Sequence, residues 1–203
     1  KSKQTTHITI RCNNKNFLFN LKDNFSSMVS WLNTLPYFFS VSIHHVLFMS
    51  NHIHMLVTPE KNNIGEAMSY VLTNLSKYLN YKNKMVNHVF GNRYIPTIIA
   101  DERHLINVIR YIYQNPVRAG IVDNINNYPY SCLGQYLGIE NIGLKIIPDS
   151  YTRSMFQYGI DGYMEWLSHI NANLNIVDTG NVKQSLSRSI YRYSRRQRDT
   201  IFK

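Results

Sequence analysis

Four side chains in this sequence are of the types, and at the spacings, that chemistry at a phosphate uses. His52 and His54 stand two apart in Asn51-His52-Ile53-His54-Met55, inside a run that reads as a strand. Strand alternation puts both imidazoles on one face and Ile53, Met55 and Val57 on the other, so two ring nitrogens can share one divalent ion. Tyr111 and Asn115 are four apart in a helical stretch, about 40° from each other around the axis, whereas Tyr113 lies about 200° from Asn115. An amide oxygen can ligate a hard cation, and a phenol can attack a phosphate held by that cation. By this reading Tyr113 is a bystander whose hydroxyl can be removed almost silently. Taken singly, the same residues also fit two half-exposed strand histidines and an amphipathic helix. His44 and His45 are adjacent and therefore expected on opposite faces, so at most one can join His52 and His54, and both are assigned structural roles.

The elements that must hold these residues follow from periodicity. Residues 6–12 read as a strand, followed by a polar turn at 13–16 and the apolar run 17–19, a hairpin-like opening. Phe25, Met28, Val29, Leu32 and Leu35 recur at helical spacing, with Pro36 expected to stop that helix. Residues 41–48 and 52–58 read as an antiparallel pair, 64–81 as an amphipathic helix and 93–99 as a further strand. Asp101 and Glu102 favour the start of the helix that carries Tyr111, and Pro116 is expected to end it. The order is that of an α+β fold, an antiparallel sheet with helices packed mainly on one face.

The chain has 203 residues, 44% of them hydrophobic, enough for one packed core, and its 22 basic against 12 acidic residues give a formal charge of +10. So basic a domain is expected to meet a polyanion, nucleic acid by default. The charge is uneven: residues 183–203 hold Lys183, Arg188, Arg192, Arg195, Arg196, Arg198 and Lys203 against the single acid Asp199. That segment is expected to form a basic helix or tail, and the chain to divide into a 1–136 domain and a 137–203 extension. Cys12 and Cys132 are far apart and support neither a disulfide scaffold nor a cysteine zinc site. No stretch approaches the roughly 20 apolar residues of a membrane span, and a cytoplasmic location is expected.

In combination these motifs resemble the HUH transposases of the IS200/IS605 type, and most closely the REP-associated tyrosine transposases. The resemblance runs from about Thr6 to Tyr136, through Arg11-Cys12-Asn13-Asn14-Lys15, Asn51-His52-Ile53-His54, Gly91-Asn92-Arg93-Tyr94, the run from Tyr111 to Gly120, and Tyr128-Pro129-Tyr130-Ser131. Its most specific part is Tyr-Ile-x-x-Asn-Pro-Val-Arg-Ala-Gly. Ser50 and Phe90 depart from the family pattern without touching the expected chemistry. The resemblance implies a ferredoxin-like or RRM-like fold, Tyr111 as nucleophile and His52, His54 and Asn115 as ligands of Mg²⁺ or Mn²⁺. It further implies cleavage and rejoining of single-stranded DNA near hairpins through a 5′-phosphotyrosine. Arg11, Lys15, Arg93, Arg110 and Arg118 are candidate phosphate contacts, with Asn13 and Asn14 placed to read unpaired bases. The chain acts as monomer or homodimer. A binding module without chemistry is the alternative. A phosphoesterase using activated water would need more ligands, and the acids Glu60, Glu66, Asp101 and Glu102 fall outside the motifs.

Overall fold

The computed structural model describes residues 3–13, 21–61, 63–84, 86, 88–91 and 93–171. The basic segment 183–203, the run 17–19, Asn14 and Lys15 lie outside them. Four strands, β1 (Thr6–Arg11), β2 (Val41–Phe48), β3 (His52–Pro59) and β4 (Ile95–Ile98), form one sheet in the order β2-β3-β1-β4. β1 pairs antiparallel with both β3 and β4, and β3 antiparallel with β2. The partners of β1 are therefore β3 and β4, where the sequence suggested a local hairpin. Two crossovers, through α1 (Leu21–Leu32) with α2 (Thr34–Phe38) and through α3 (Ile64–Asn83), each join parallel strands with one strand between them. This is the split βαβ arrangement of ferredoxin-like domains.

Alternation divides the sheet. Ile8, Ile10, Ile53, Met55 and Val57 share one face and are at most 1% exposed. Phe48 on that face meets Phe25 of α1 edge-on at 5.1 Å, and Ser27 of α1 donates to the Tyr78 hydroxyl of α3 at 2.8 Å. The opposite face is polar for an apolar-cored protein: His7, Thr9 and Arg11 of β1 lie beside Leu56, His54 and His52 of β3. Helix α4 (Glu102–Arg118) covers part of it, with α5 (Leu133–Tyr136), α6 (Ser150–Phe156) and α7 (Gly159–Asn171) following a 3₁₀ turn at Ile125–Asn127. Trp166 of α7, fully buried, stacks on His45 and meets Tyr136 and Phe156, so residues beyond 136 enter the same core.

Both prolines sit inside helices that they were expected to end. Pro36 occupies the first turn of α2, where a missing N–H deprives no helical acceptor. Pro116 lies within α4, and the Asn115 side chain compensates: its Nδ2 donates to the Tyr111 carbonyl at 2.8 Å and reaches the Ile112 carbonyl at 3.5 Å. The helix runs on to Arg118 and is closed by Gly120, which takes φ +66° and donates to the Val117 carbonyl, while Ile121 donates to the Pro116 carbonyl. Its start is as expected, since Asp101 accepts from the His104 backbone N–H at 2.7 Å.

The adjacent histidines also depart from simple alternation. A bulge between Ile43 and His45 leaves His45 opposite Leu56, on the face of His54, and the extra residue His44 bonds Thr58 of that same face at 2.8 Å. Both rings are engaged structurally: His44 Nδ1 meets the Ile147 carbonyl, and His45 lies between the Tyr113 hydroxyl and Asp149, each at 2.7 Å. Burial, the largest influence on His45, favours its neutral form. The hydrogen bonds to Asp149 and Cys132 and the Asp149 charge outweigh it and lift the pKa to about 9. The stabilisation from this pair is therefore complete below the unfolded value of about 6.5 and lost as pH rises through about 9. Urea unfolding should show a midpoint that falls between pH 7 and pH 10. Asp149→Asn should lower stability by about 3–5 kcal/mol at pH 7 and flatten that fall.

Candidate active site

The polar sheet face and α4 bring the sequence-selected residues together. The His52 and His54 rings are 4.9 Å apart at 87°, and the Tyr111 ring meets His54 edge-on at 5.5 Å. Asn115 lies one turn after Tyr111 on α4, and with Nδ2 bonded to backbone its Oδ1 is left for other partners. Tyr111 is 5% exposed, His54 is 2% exposed and His52 half-buried, so the site opens at the His52 end, beside the exposed Arg11.

Each histidine presents one nitrogen. His52 Nδ1 donates to the Asn51 side-chain oxygen at 2.6 Å, which leaves Nε2 as the lone-pair atom. His54 Nδ1 is 3.1 Å from His7 Nε2 and 3.3 Å from Thr9 Oγ1, while its Nε2 is buried with no hydrogen-bond partner among the described residues. A buried ring nitrogen without a partner costs about 1–3 kcal/mol, and a cation coordinated there would remove that cost. Both rings are held neutral, the ligand form. Burial and Arg11 lower His52 to about 4, and burial, helped by His7, His52 and Arg11, lowers His54 well below its ordinary value. Two imidazole nitrogens and one amide oxygen make a donor set that a divalent cation can use.

Burial also raises the Tyr111 pKa above its ordinary value of about 10, while Arg11, the hydrogen bond to Asn115 and Arg118 act in the opposite direction. Arg118 donates through Nη2 to Gln114 at 2.7 Å, and its Nε and Nη1 are buried with no partner among the described residues. Arg11 and Arg118 are thus the cations at the site. Arg110 is directed elsewhere: its Nε donates to the His169 carbonyl at 2.7 Å and ties α4 to α7. Arg93 is exposed on the approach to β4, and Asn13 donates its backbone N–H to Val89 at 2.9 Å. Tyr113 faces away from Tyr111, fully buried between His45 and Cys132, so the loss of its hydroxyl cannot be silent for stability.

His7 was missed in the sequence. Fully buried, with a pKa lowered to about 3 by burial and His104, it stacks on His54 at 5.2 Å and fixes that ring. The signal was available: His7, Thr9 and Arg11 alternate with Ile8 and Ile10, but only the pairing of β1 with β3 reveals which polar row they join.

The fold and site define a ferredoxin-like domain whose sheet carries a histidine pair against a helix-borne tyrosine. Residues 1–115 match the family model described as "Transposase IS200 like", and the chain belongs to that family. It is 27% identical over 97 residues to a Haemophilus influenzae protein assigned to the REP-associated tyrosine transposases, a match spanning 42% of this chain and 55% of that relative. The chain thus matches about half of that relative's length. Its fold is similar to a solved REP-associated tyrosine transposase bound to a REP hairpin, with TM-score 0.57, 15% identity, and coverage of 74% of this chain and 91% of the other. Among the described residues no helix is long and apolar enough to cross a membrane.

Proposed function

We propose that this protein cleaves and rejoins single-stranded DNA beside hairpins, with Tyr111 as the nucleophile and a 5′-phosphotyrosine as the intermediate. The observation that carries this reading is the packing of the Tyr111 phenol against His54, whose Nε2 is buried and unpartnered. The family and the hairpin-bound structural neighbour support DNA as the substrate. In the forward step the Tyr111 oxygen bonds to phosphorus, the bond from phosphorus to the 3′ oxygen breaks, and the 3′-hydroxyl leaves with a proton. A second 3′-hydroxyl reverses the step on a new strand. The linkage conserves the phosphodiester energy, and the sequence contains no GxxxxGK[ST] element for a nucleotide cofactor.

His52, His54 and Asn115 would hold Mg²⁺ or Mn²⁺, which when bound supplies Lewis-acid polarisation of the scissile phosphate. The chain's own residues do the rest. His7 and Thr9 set the His54 ring, Asn51 sets His52, and Asn115 holds α4 intact past Pro116 while facing the phenol. Arg11 and Arg118 favour the ionised phenol and the negative charge of the pentavalent transition state.

The test is incubation with a library of single-stranded DNA hairpins and Mn²⁺ or Mg²⁺, followed by a denaturing gel. A protein–DNA adduct that resists denaturant is expected. Tight binding with no adduct under either metal would leave a binding module without the chemistry.

A further inference from the structure

Helix α4 carries two neighbouring stripes. Tyr111 and Arg118 are seven residues apart, two turns of helix, and so lie within about 20° of one another around the axis, while Arg110 and Gln114, four apart, form the stripe that meets α7. Both residues of the second stripe bond the last turn of α7: Arg110 Nε donates to the His169 carbonyl and Gln114 Nε2 to the Ile170 carbonyl, each at 2.7 Å. Donors suit the C-terminal end of a helix, where the backbone presents carbonyls and the negative pole of the dipole.

Gln114 is fully buried, and its amide has one donor end and one acceptor end. With Nε2 fixed on Ile170, Oε1 is turned to Arg118, whose Nη2 donates to it at 2.7 Å. The result is a continuous tie from the α7 backbone through Gln114 to the guanidinium. The anchor is itself held: Trp166 of α7 is fully buried against His45, Tyr136 and Phe156, and the hydroxyl of buried Tyr151 on α6 lies 2.6 Å from His169 Nδ1. An arginine on its own samples many rotamers, so a partner that is already immobile fixes its charge in one place.

That place matters to the phenol. Burial is the main influence on Tyr111 and favours the neutral hydroxyl, and Arg118 is one of the groups that oppose it. The family match covers residues 1–115, so Arg118 and Ile170, the two groups that Gln114 joins, lie beyond it. We propose that Gln114 is a positioning residue that uses α7 as an anchor to hold the Arg118 guanidinium beside Tyr111 during strand transfer, an inference that rests on Tyr111 being the nucleophile. It makes α7, a helix outside the family match, a support of the active site.

The test is a double-mutant cycle on the full chain, read as the single-turnover rate of covalent attachment to a single-stranded DNA hairpin with Mn²⁺. Gln114→Met keeps the length of the side chain and removes both hydrogen bonds. It should lower the rate at saturating DNA by about ten- to a hundredfold, as a misplaced group at a reacting centre does, and leave the half-saturating DNA concentration within a few-fold. Arg118→Met should lower the rate at least as much. Adding Gln114→Met to Arg118→Met should lower it no further, because a residue that acts only through Arg118 then has nothing left to position. An unchanged rate in folded Gln114→Met, or losses that multiply in the double variant, would overturn the proposal.

A second measurement needs neither DNA nor a Gln114 variant. In the parent chain labelled with ¹⁵N-arginine, the Arg118 side chain, assigned by its loss in Arg118→Lys, should give separate Nη signals. A single averaged signal, the mark of a freely turning guanidinium, would overturn the tie. The two readings fail separately. Resolved Arg118 signals in a parent that forms no adduct with either metal sink strand transfer and leave the tie standing, whereas adduct formation with averaged signals or multiplied losses sinks the positioning role alone.

Discussion

Tyr111→Phe is expected to lower covalent attachment to DNA by at least about a thousandfold while leaving DNA affinity within a few-fold. The substitution deletes one oxygen, the attacking atom, and removal of a nucleophile costs orders of magnitude in rate. Affinity for DNA comes mainly from cations meeting phosphates, and none is lost. The ring that packs on His54 at 5.5 Å is kept, so the site remains shaped as before. Tyr113→Phe makes the complementary experiment. Its hydroxyl lies 2.7 Å from His45 Nδ1, and removal leaves that buried nitrogen without its partner. The expected cost is about 1–3 kcal/mol of stability, seen as a lower melting temperature, with adduct formation retained in the folded protein. Adduct formation that survived Tyr111→Phe and failed in folded Tyr113→Phe would assign the nucleophile to the wrong side of α4.

The second large effect concerns the histidine pair. His54→Ala should weaken Mn²⁺ binding, measured by calorimetry on the full chain, by more than about a hundredfold, and cleavage should fall with it, because a first ligand matters at least as much as the partners that orient it. His52→Ala should behave alike. Asn115→Ala should be intermediate, since an amide oxygen is the weaker ligand. His54→Gln keeps most of the side-chain volume and separates loss of the metal from loss of packing around His7 and Tyr111. A His54→Ala protein that bound Mn²⁺ and cleaved like the parent would remove the pair from the chemistry.

The residues carrying this account were legible because two of their relations are local. His52 and His54 share a face whatever the sheet does, and Tyr111 and Asn115 share a helical stripe whatever the helix packs on. The strands 41–48 and 52–58 were legible for the same reason, being β-branched runs bounded by turn residues. What failed depended on tertiary structure. Pro116 reads as a stop until the Asn115 amide is seen bonded to the carbonyls around the gap. The bulge at His44 turns two adjacent histidines to one face, and no residue type announces it. His7 acquires meaning only when β1 lies beside β3. The helix α6 carries no motif, and in the structure Asp149 marks its start by accepting from the Thr152 backbone N–H at 3.1 Å.

The most direct measurement is a peptide map of the adduct by mass spectrometry after nuclease trimming. The account predicts a single modified peptide containing Tyr111, with the nucleotide attached through its 5′-phosphate and a free 3′-hydroxyl on the released strand. A modification on any other residue, or a 3′-phosphate on the protein, would contradict it.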